Sequence, residues 1–253
     1  MRKISIIGIG AGNPDYMTVQ AIDALNRADV LFIPDKGAEK AELRRLRTEI
    51  CDRFIKHSNY RSVDIKIPKR EPAGSDYRAT VDDWHAKLAA AYEALFTQEL
   101  AEGQCGAFLV WGDPALYDST LRIIESILAR GFALDYEVIP GISAVQALAA
   151  RHRVALNRIG EPVLLTTGRR LAQGLPDESG SVVVMLDGEQ AFRRIPAEGL
   201  EIYWGAYLGT PEEILISGKL SEVAEEIEQV RSQAREKNGW IMDTYMLRRP
   251  EKS

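Results

Sequence analysis

Cysteine is nearly absent from this chain: Cys51 and Cys105 are the only two among 253 residues. Two cysteines so far apart build no disulfide framework and have no metal-ligand spacing, so each reads as a small packed residue rather than a nucleophile. Histidine is almost as scarce. His57, His85 and His152 stand far from one another, which offers no ligand pair and favours structural or surface roles. No apolar run is long enough to span a bilayer. Met1-Arg2-Lys3 passes straight into a strand pattern with no signal-peptide core, so the expected compartment is the cytoplasm. Excess positive charge is missing too. The net charge of −5 argues against a nucleic-acid partner or an anionic membrane surface. A local basic pocket for an anionic small molecule remains compatible with it. There is no internal repeat and no low-complexity segment.

The composition that is present is ordinary for a globular protein, 45% hydrophobic and 27% charged. The length suits one large domain or two small ones. The organising stretch is Trp111-Gly112-Asp113-Pro114-Ala115-Leu116-Tyr117. An apolar run over 106–110 precedes it and reads as a fully buried strand. A helical pattern with Leu121, Ile124 and Leu128 follows, capped by Asp118 or Ser119. In an open parallel sheet, ligands sit outside the carboxyl ends of the strands. Gly112 removes a side chain there, Pro114 stiffens the turn, and Asp113 places a carboxylate at the mouth. A tight turn with a hydrogen-bonding aspartate is the plain alternative for this motif taken alone.

Ile4-Ser5-Ile6-Ile7 is a strand ending in Gly8-Ile9-Gly10-Ala11-Gly12-Asn13-Pro14. This invites a dinucleotide-binding reading, which fails in detail. The fingerprint needs a third glycine where Asn13 stands, and a helix opening directly from the loop. Pro14-Asp15-Tyr16 delays the helix to about Thr18, a good cap, with Val19, Ile22 and Leu25 on one face. Residues 29–34 form a second strand. The helix after it has Leu43, Leu46, Ile50 and Phe54 inward and Lys40, Arg44, Arg45 and Arg47 on a solvated outer face. Lys36 stands closer to the strand end. A strand over 62–67, a loop over 69–75 and a helix with Val81, Trp84, Leu88 and Leu95 inward lead to the central strand. Arg130-Gly131 closes the next helix. Residues 134–139 alternate as a strand and end in Pro140-Gly141-Ile142-Ser143-Ala144, a third junction with small residues, before a helix from 143 to 150.

The pattern changes near Asn157, which places a boundary between domains 1–156 and 157–253. Strands are expected at 163–166, 182–186, 200–204, 213–216 and 240–245, with a late helix striped by Val223, Ile227 and Val230.

Three motifs thus occur in order: the Gly8 loop, the Gly112-Asp113-Pro114 loop and Ile139-Pro140-Gly141-Ile142-Ser143-Ala144, with a Thr210-Pro211-Glu212-Glu213 turn behind them. The set resembles the tetrapyrrole methylase family of S-adenosylmethionine-dependent methyltransferases, over nearly the whole chain. Within it, residues 110–120, Met185-Leu186-Asp187-Gly188, 203–211 and the basic helix after Lys36 are most similar to the branch that methylates precorrin-5 at C-1 with release of acetate. The first loop departs from the family pattern, which has Pro where Ala11 stands and Asp where Asn13 stands. A methionine common in the cofactor site is Leu186 here.

The resemblance implies an α/β fold of two α/β domains with S-adenosylmethionine in the interdomain cleft, and a homodimer. It implies that Gly112, Asp113, Pro114, Leu116, Tyr117, Ser143, Ala144, Leu186, Tyr207 and Leu208 bind the cofactor, and that the first glycine loop faces an anionic tetrapyrrole (a precorrin). No metal is implied. Methyl transfer needs an in-line approach and a fixed donor rather than covalent help. Asp113 is expected to hold the cofactor's amino-acid end or its ribose, or to sit by the sulfonium. Loss of an acetyl group needs water to attack a carbonyl, hence a base; Asp15 is the candidate, with Asp113 and Tyr117 as the other catalytic residues. Lys36, Arg44 and Arg122 are candidates for the substrate carboxylates. The competing classes are a nicotinamide oxidoreductase reading the first loop as a fingerprint, and a non-catalytic nucleotide sensor.

Overall fold

The computed structural model describes residues 1–35, 41–66, 77–175 and 180–249. The chain divides into two compact units. One comprises Met1–Gly10 and Pro14–Ser143, the other Ala11–Asn13 and Ala144–Ser253.

In the first unit the apolar runs become strands buried on both faces, which is why they read as continuous rather than alternating. Strands β1 (Arg2–Gly8), β2 (Val30–Asp35), β3 (Arg61–Lys66), β4 (Cys105–Val110) and β5 (Leu134–Ile139) form a parallel sheet in the order β3-β2-β4-β1-β5. Helices α1 (Val19–Leu25) and α2 (Ala41–Phe54) cover one face, where Ala21, Leu25, Leu46 and Ile50 pack on Ile7, Leu31 and Leu109. Helices α3 (Tyr77–Glu99) and α4 (Thr120–Ala129) cover the other, where Leu88, Tyr92, Phe96 and Ile124 meet Ile4, Ile6, Phe32 and Phe108.

Local signals explain the element ends. The Thr18 hydroxyl accepts the Ala21 N–H at 3.0 Å and caps α1. Asp118 Oδ1 takes the Thr120 N–H at 2.7 Å, whereas Ser119, at the cap position of α4, makes no side-chain cap bond. Some faces differ from expectation. Val19 is 76% exposed and the inner face of α1 is Ala21, Ala24 and Leu25. The fully covered residues of α4 are Ile123, Ile124 and Ile127, with Leu121 and Leu128 at the margin. In β5 only Leu134 and Ile139 are buried, because this strand is the sheet's edge and pairs with β1 alone.

The second unit begins with α5 (Ala144–His152), which packs on strands of its own sheet. The division therefore falls between Ser143 and Ala144, ahead of the change in sequence pattern near Asn157. Strands β6 (Val163–Thr167), β7 (Ser181–Met185), β8 (Glu201–Ala206), β9 (Ile214–Lys219) and β10 (Asp243–Arg248) form a mixed sheet in the order β6-β7-β10-β8-β9. Only β6 and β7 run parallel. A short α6 (Gly168–Leu171), absent from the sequence reading, and α7 (Leu220–Asn238) complete the unit. Its core joins Val182, Val184, Phe192, Ile202, Trp204, Ile227, Tyr245 and Leu247. The last strand starts at Asp243 rather than at Trp240.

Candidate functional site

The connection β1 to β2 runs to one side of β1, and β4 to β5 to the other, so the sheet has its switch point between β4 and β1. Ligands bind outside the carboxyl ends of strands at such a point. The three motifs, scattered along the sequence, converge there. Gly112 N–H donates to the Gly10 carbonyl at 2.9 Å, and Gly10 N–H returns a bond to the Gly112 carbonyl at 3.3 Å. A Cβ on Gly141 would lie 2.1 Å from that Gly112 oxygen, and one on Gly8 2.6 Å from the Gly141 nitrogen, so both glycines are required by backbone packing. Asp113 bridges two loops: Oδ1 accepts the Ala115 N–H and Oδ2 the Gly141 N–H, each at 2.8 Å.

Gly112 itself is different. Its φ is +68°, and a Cβ there would meet nothing nearer than Ser143 Cα at 3.6 Å. The space over its Cα is open, flanked within this unit by buried Ser143. Tyr117, with φ of +53°, is 41% exposed, and its partial burial pushes the phenol above its usual range. Pro114 is buried and Leu116 half-buried. The turn is thus built from backbone and small residues, with open space over Gly112.

In the second unit, Leu186 and Tyr207 also have positive φ, +54° and +50°. Among the described residues five non-glycine positions do so, and three of them, Tyr117, Leu186 and Tyr207, are cofactor candidates; such backbone strain clusters at functional sites. Leu186 is 66% exposed. The Tyr207 hydroxyl donates to the Trp240 carbonyl at 3.0 Å, its N–H donates to the Met242 carbonyl at 3.0 Å, and its own carbonyl accepts from the Thr210 N–H and hydroxyl, so the strained turn is held from both sides. Leu208 is buried, and a Cβ on Gly12 would lie 2.2 Å from the Leu208 carbonyl oxygen. Ala144 is the first residue of α5 in this unit.

A buried polar network beneath Leu186 escaped the sequence reading. Asp187 Oδ2 accepts from Ala191 N–H at 2.7 Å and from the Tyr245 hydroxyl at 2.6 Å, while Arg231 donates to the Asp187 carbonyl at 3.2 Å. Arg231 Nε also donates to Asp243 Oδ2 at 2.9 Å, and Trp204 Nε1 to the same oxygen at 3.1 Å. Burial drives the Asp243 carboxyl above its ordinary range, against the opposing pull of Arg231. The readable signal was the polar pair Asp243 and Thr244 opening a strand whose middle, Tyr245–Leu247, is apolar.

Asp15 lies in the first unit on a 3-10 turn, Pro14–Tyr16, which stands between the glycine loop and α1 and is incompatible with a dinucleotide fingerprint. Its exposed carboxylate pairs with Arg53. Arg44 pairs with Asp64 at 3.1 Å. Arg44, Arg45, Thr48, Glu49, Asp52 and Arg53 line a depression of about 650 Å³ along α2. Arg122 is exposed on α4. Lys36 lies outside the described residues. Arg47 corrects an expectation: it is 5% exposed, and its Nε donates to the Leu109 carbonyl at 3.0 Å. Two histidines serve structure, His57 through the Asn26 carbonyl and His152 through the Trp204 carbonyl, both at 3.0 Å. No helix among the described residues is long and apolar enough to cross a membrane.

Comparison with known proteins bears on this site. The profile of the tetrapyrrole (corrin/porphyrin) methylases matches residues 3–224. The chain is 58% identical over 250 residues to precorrin-6A synthase [deacetylating] of a Sinorhizobium species, covering 98% of this chain and 96% of that one. The crystal structure of a putative cobalamin-synthesis-related protein from Corynebacterium diphtheriae superposes with a TM-score of 0.84 at 38% identity, over 99% of this chain and 100% of that one. Uroporphyrin-III C-methyl transferase from Thermus thermophilus, complexed with S-adenyl homocysteine, shares the fold at a TM-score of 0.59 and 17% identity, over 97% of each chain.

Proposed function

Because the chain belongs to the tetrapyrrole (corrin/porphyrin) methylase family, we propose that it is an S-adenosylmethionine-dependent C-methyltransferase of cobalamin biosynthesis, methylating precorrin-5 at C-1 and releasing acetate to give precorrin-6A. The observation that carries this reading is the 58% identity to a precorrin-6A synthase (deacetylating), which extends over 98% of the chain and so spans both units. When bound, S-adenosylmethionine supplies an electrophilic methyl group.

The chain's own residues orient and enclose. Gly112 leaves room for backbone approach, with Pro114, Leu116, Tyr117 and Ser143 around it. Ala144, Leu186, Tyr207 and Leu208 are the candidate cofactor residues of the second unit. Asp113 is a positioning residue: both of its oxygens hold loop N–H groups. Tyr117, whose phenol stays protonated at neutral pH, donates a hydrogen bond rather than accepting a proton. Asp15 is the base that takes a proton from the water attacking the acetyl carbonyl, with Arg53 holding its carboxylate in place. The enzyme acts as a homodimer on an anionic precorrin.

Incubation of the purified chain with precorrin-5 and S-adenosylmethionine, followed by mass spectrometry and an acetate assay, tests this. The expected product has gained one methyl and lost the acetyl group, with one acetate released per turnover. Asp15→Asn should still methylate while the acetate rate falls by about 10²–10⁴-fold, the usual contribution of a general base. Methylation of another precorrin in preference to precorrin-5 would refute the substrate assignment. Unchanged acetate release by Asp15→Asn would remove it from the mechanism.

A further inference from the structure

The ladder between β2 and β4 ends early. Its last rung is Phe32 with Phe108, whereas β4 stays paired with β1 as far as Val110, and β2 with β3 as far as Asp35. Successive carbonyls of a strand point to opposite sides. That of Val110 faces β1, where it accepts the Ile9 N–H at 2.9 Å. That of Leu109 therefore faces the β2 side, beyond the last rung. Arg47 of α2 meets it there through Nε at 3.0 Å. The Asp118 carboxylate lies within electrostatic reach of the same guanidinium and favours its charged form. Asp118 in turn holds the Thr120 N–H that opens α4.

One buried cation thus bears on both ends of the loop over residues 111–117: it is hydrogen-bonded to the strand that enters the loop and attracted by the carboxylate that follows it. Burying a guanidinium is costly unless hydrogen bonds and an opposite charge compensate it. An apolar side chain of similar length would pack at lower cost, so packing alone does not account for arginine here.

We propose that Arg47 is a positioning residue for the methyl donor, clamping the two ends of the 111–117 loop and so setting the backbone presented at Gly112. The proposal rests on the reading of that loop as the donor site. The test uses the full chain, with S-adenosylhomocysteine as the probe, and reads Kd by calorimetry alongside the thermal midpoint. Arg47→Met should weaken binding by about tenfold or more, as small misplacements of a binding frame do. Arg47→Lys, which keeps the charge, should fall between. Asp118→Asn retains an acceptor for Thr120 but loses the charge. It should weaken binding in the same direction, and the double variant should lose no more than Arg47→Met alone, as coupled residues do. A purely structural arginine would change the midpoint and leave Kd within about twofold, the scatter of independent substitutions, and that result overturns the proposal. If Arg47→Met does not fold, an unchanged Kd in both Arg47→Lys and Asp118→Asn overturns it equally. Gly112→Val separates the two levels. If the wild type binds the probe and Gly112→Val does not, the donor site stands and the Arg47 variants judge the clamp alone. If Gly112→Val binds like the wild type, the loop reading falls and takes the clamp with it.

Discussion

On α2, charge and geometry compete for the same position. Arg44, Arg45 and Arg47 look alike as a basic run, and charge alone assigns all three to solvent. Yet Arg47 stands three residues before Ile50 and four before Cys51, both buried, so helical spacing turns it inward. Geometry wins because the Leu109 carbonyl and Asp118 compensate the buried charge. The neighbouring Cys51 was legible as a packed residue from the absence of any partner cysteine. Its burial, reinforced by the Asp52 carboxylate, pushes the thiol from an ordinary 9.0 up to about 11. Only the thiolate is nucleophilic, so at pH 8 native Cys51 should alkylate about 100-fold more slowly than an unperturbed thiol. Mass spectrometry after iodoacetamide treatment of native and denatured protein checks this. The linked effect on stability has a definite sign. Between pH 9 and 11 the unfolded thiol loses a proton that the folded one keeps, so stability falls as pH rises through that window.

Elements were more readable than their faces. The Thr18 cap and the Arg130-Gly131 stop are local chemistry, and both occur where the sequence indicated. The face of α1 was not, because Val19 lies in the first turn, where the apolar stripe has only begun, and Ala21 and Ala24 carry the contact with the sheet. Of the network linking Asp187, Tyr245, Arg231 and Asp243 only the polar start of β10 was readable, since its members come from β10, α7 and the turn after β7. The network holds the turn that carries Leu186. Arg231→Met leaves Asp243 buried without its cation, which should cost about 3–5 kcal/mol. The thermal midpoint should drop by on the order of 10 °C. The deficit should shrink at low pH, because the stranded carboxyl, already raised by burial, escapes its penalty by taking up a proton. Thermal scans at pH 5 and pH 8 test both statements; equal losses at the two pH values would exclude Asp243 as the source.

At the scale of the whole molecule, the segment after α5 is the place where the chain is open to attack. Arg248 holds the Ala155 and Leu156 carbonyls, and beyond them Ile159 is fully exposed. Limited trypsin digestion should cut first after Arg158, or within residues 69–75, which the sequence pattern reads as a loop and which lie outside the described residues. N-terminal sequencing of the fragments identifies the site; first cuts inside β1–β10 would contradict the architecture. By itself, the amino-acid sequence determined the ten strands and every α-helix among the described residues but the short α6, the three glycine-bearing junctions and the family, because periodicity, turn chemistry and motif order are local or linear properties. Tertiary structure alone decided that Gly10, Gly112 and Gly141 meet at one end of the sheet, that Arg47 is buried, and that α5 and Ala11–Asn13 belong to the compact unit of the second sheet. Those outcomes depend on the strand order β3-β2-β4-β1-β5 and on which sheet α5 packs against. Hydrogen bonds between strands a hundred residues apart establish that order, and they have no counterpart in local sequence.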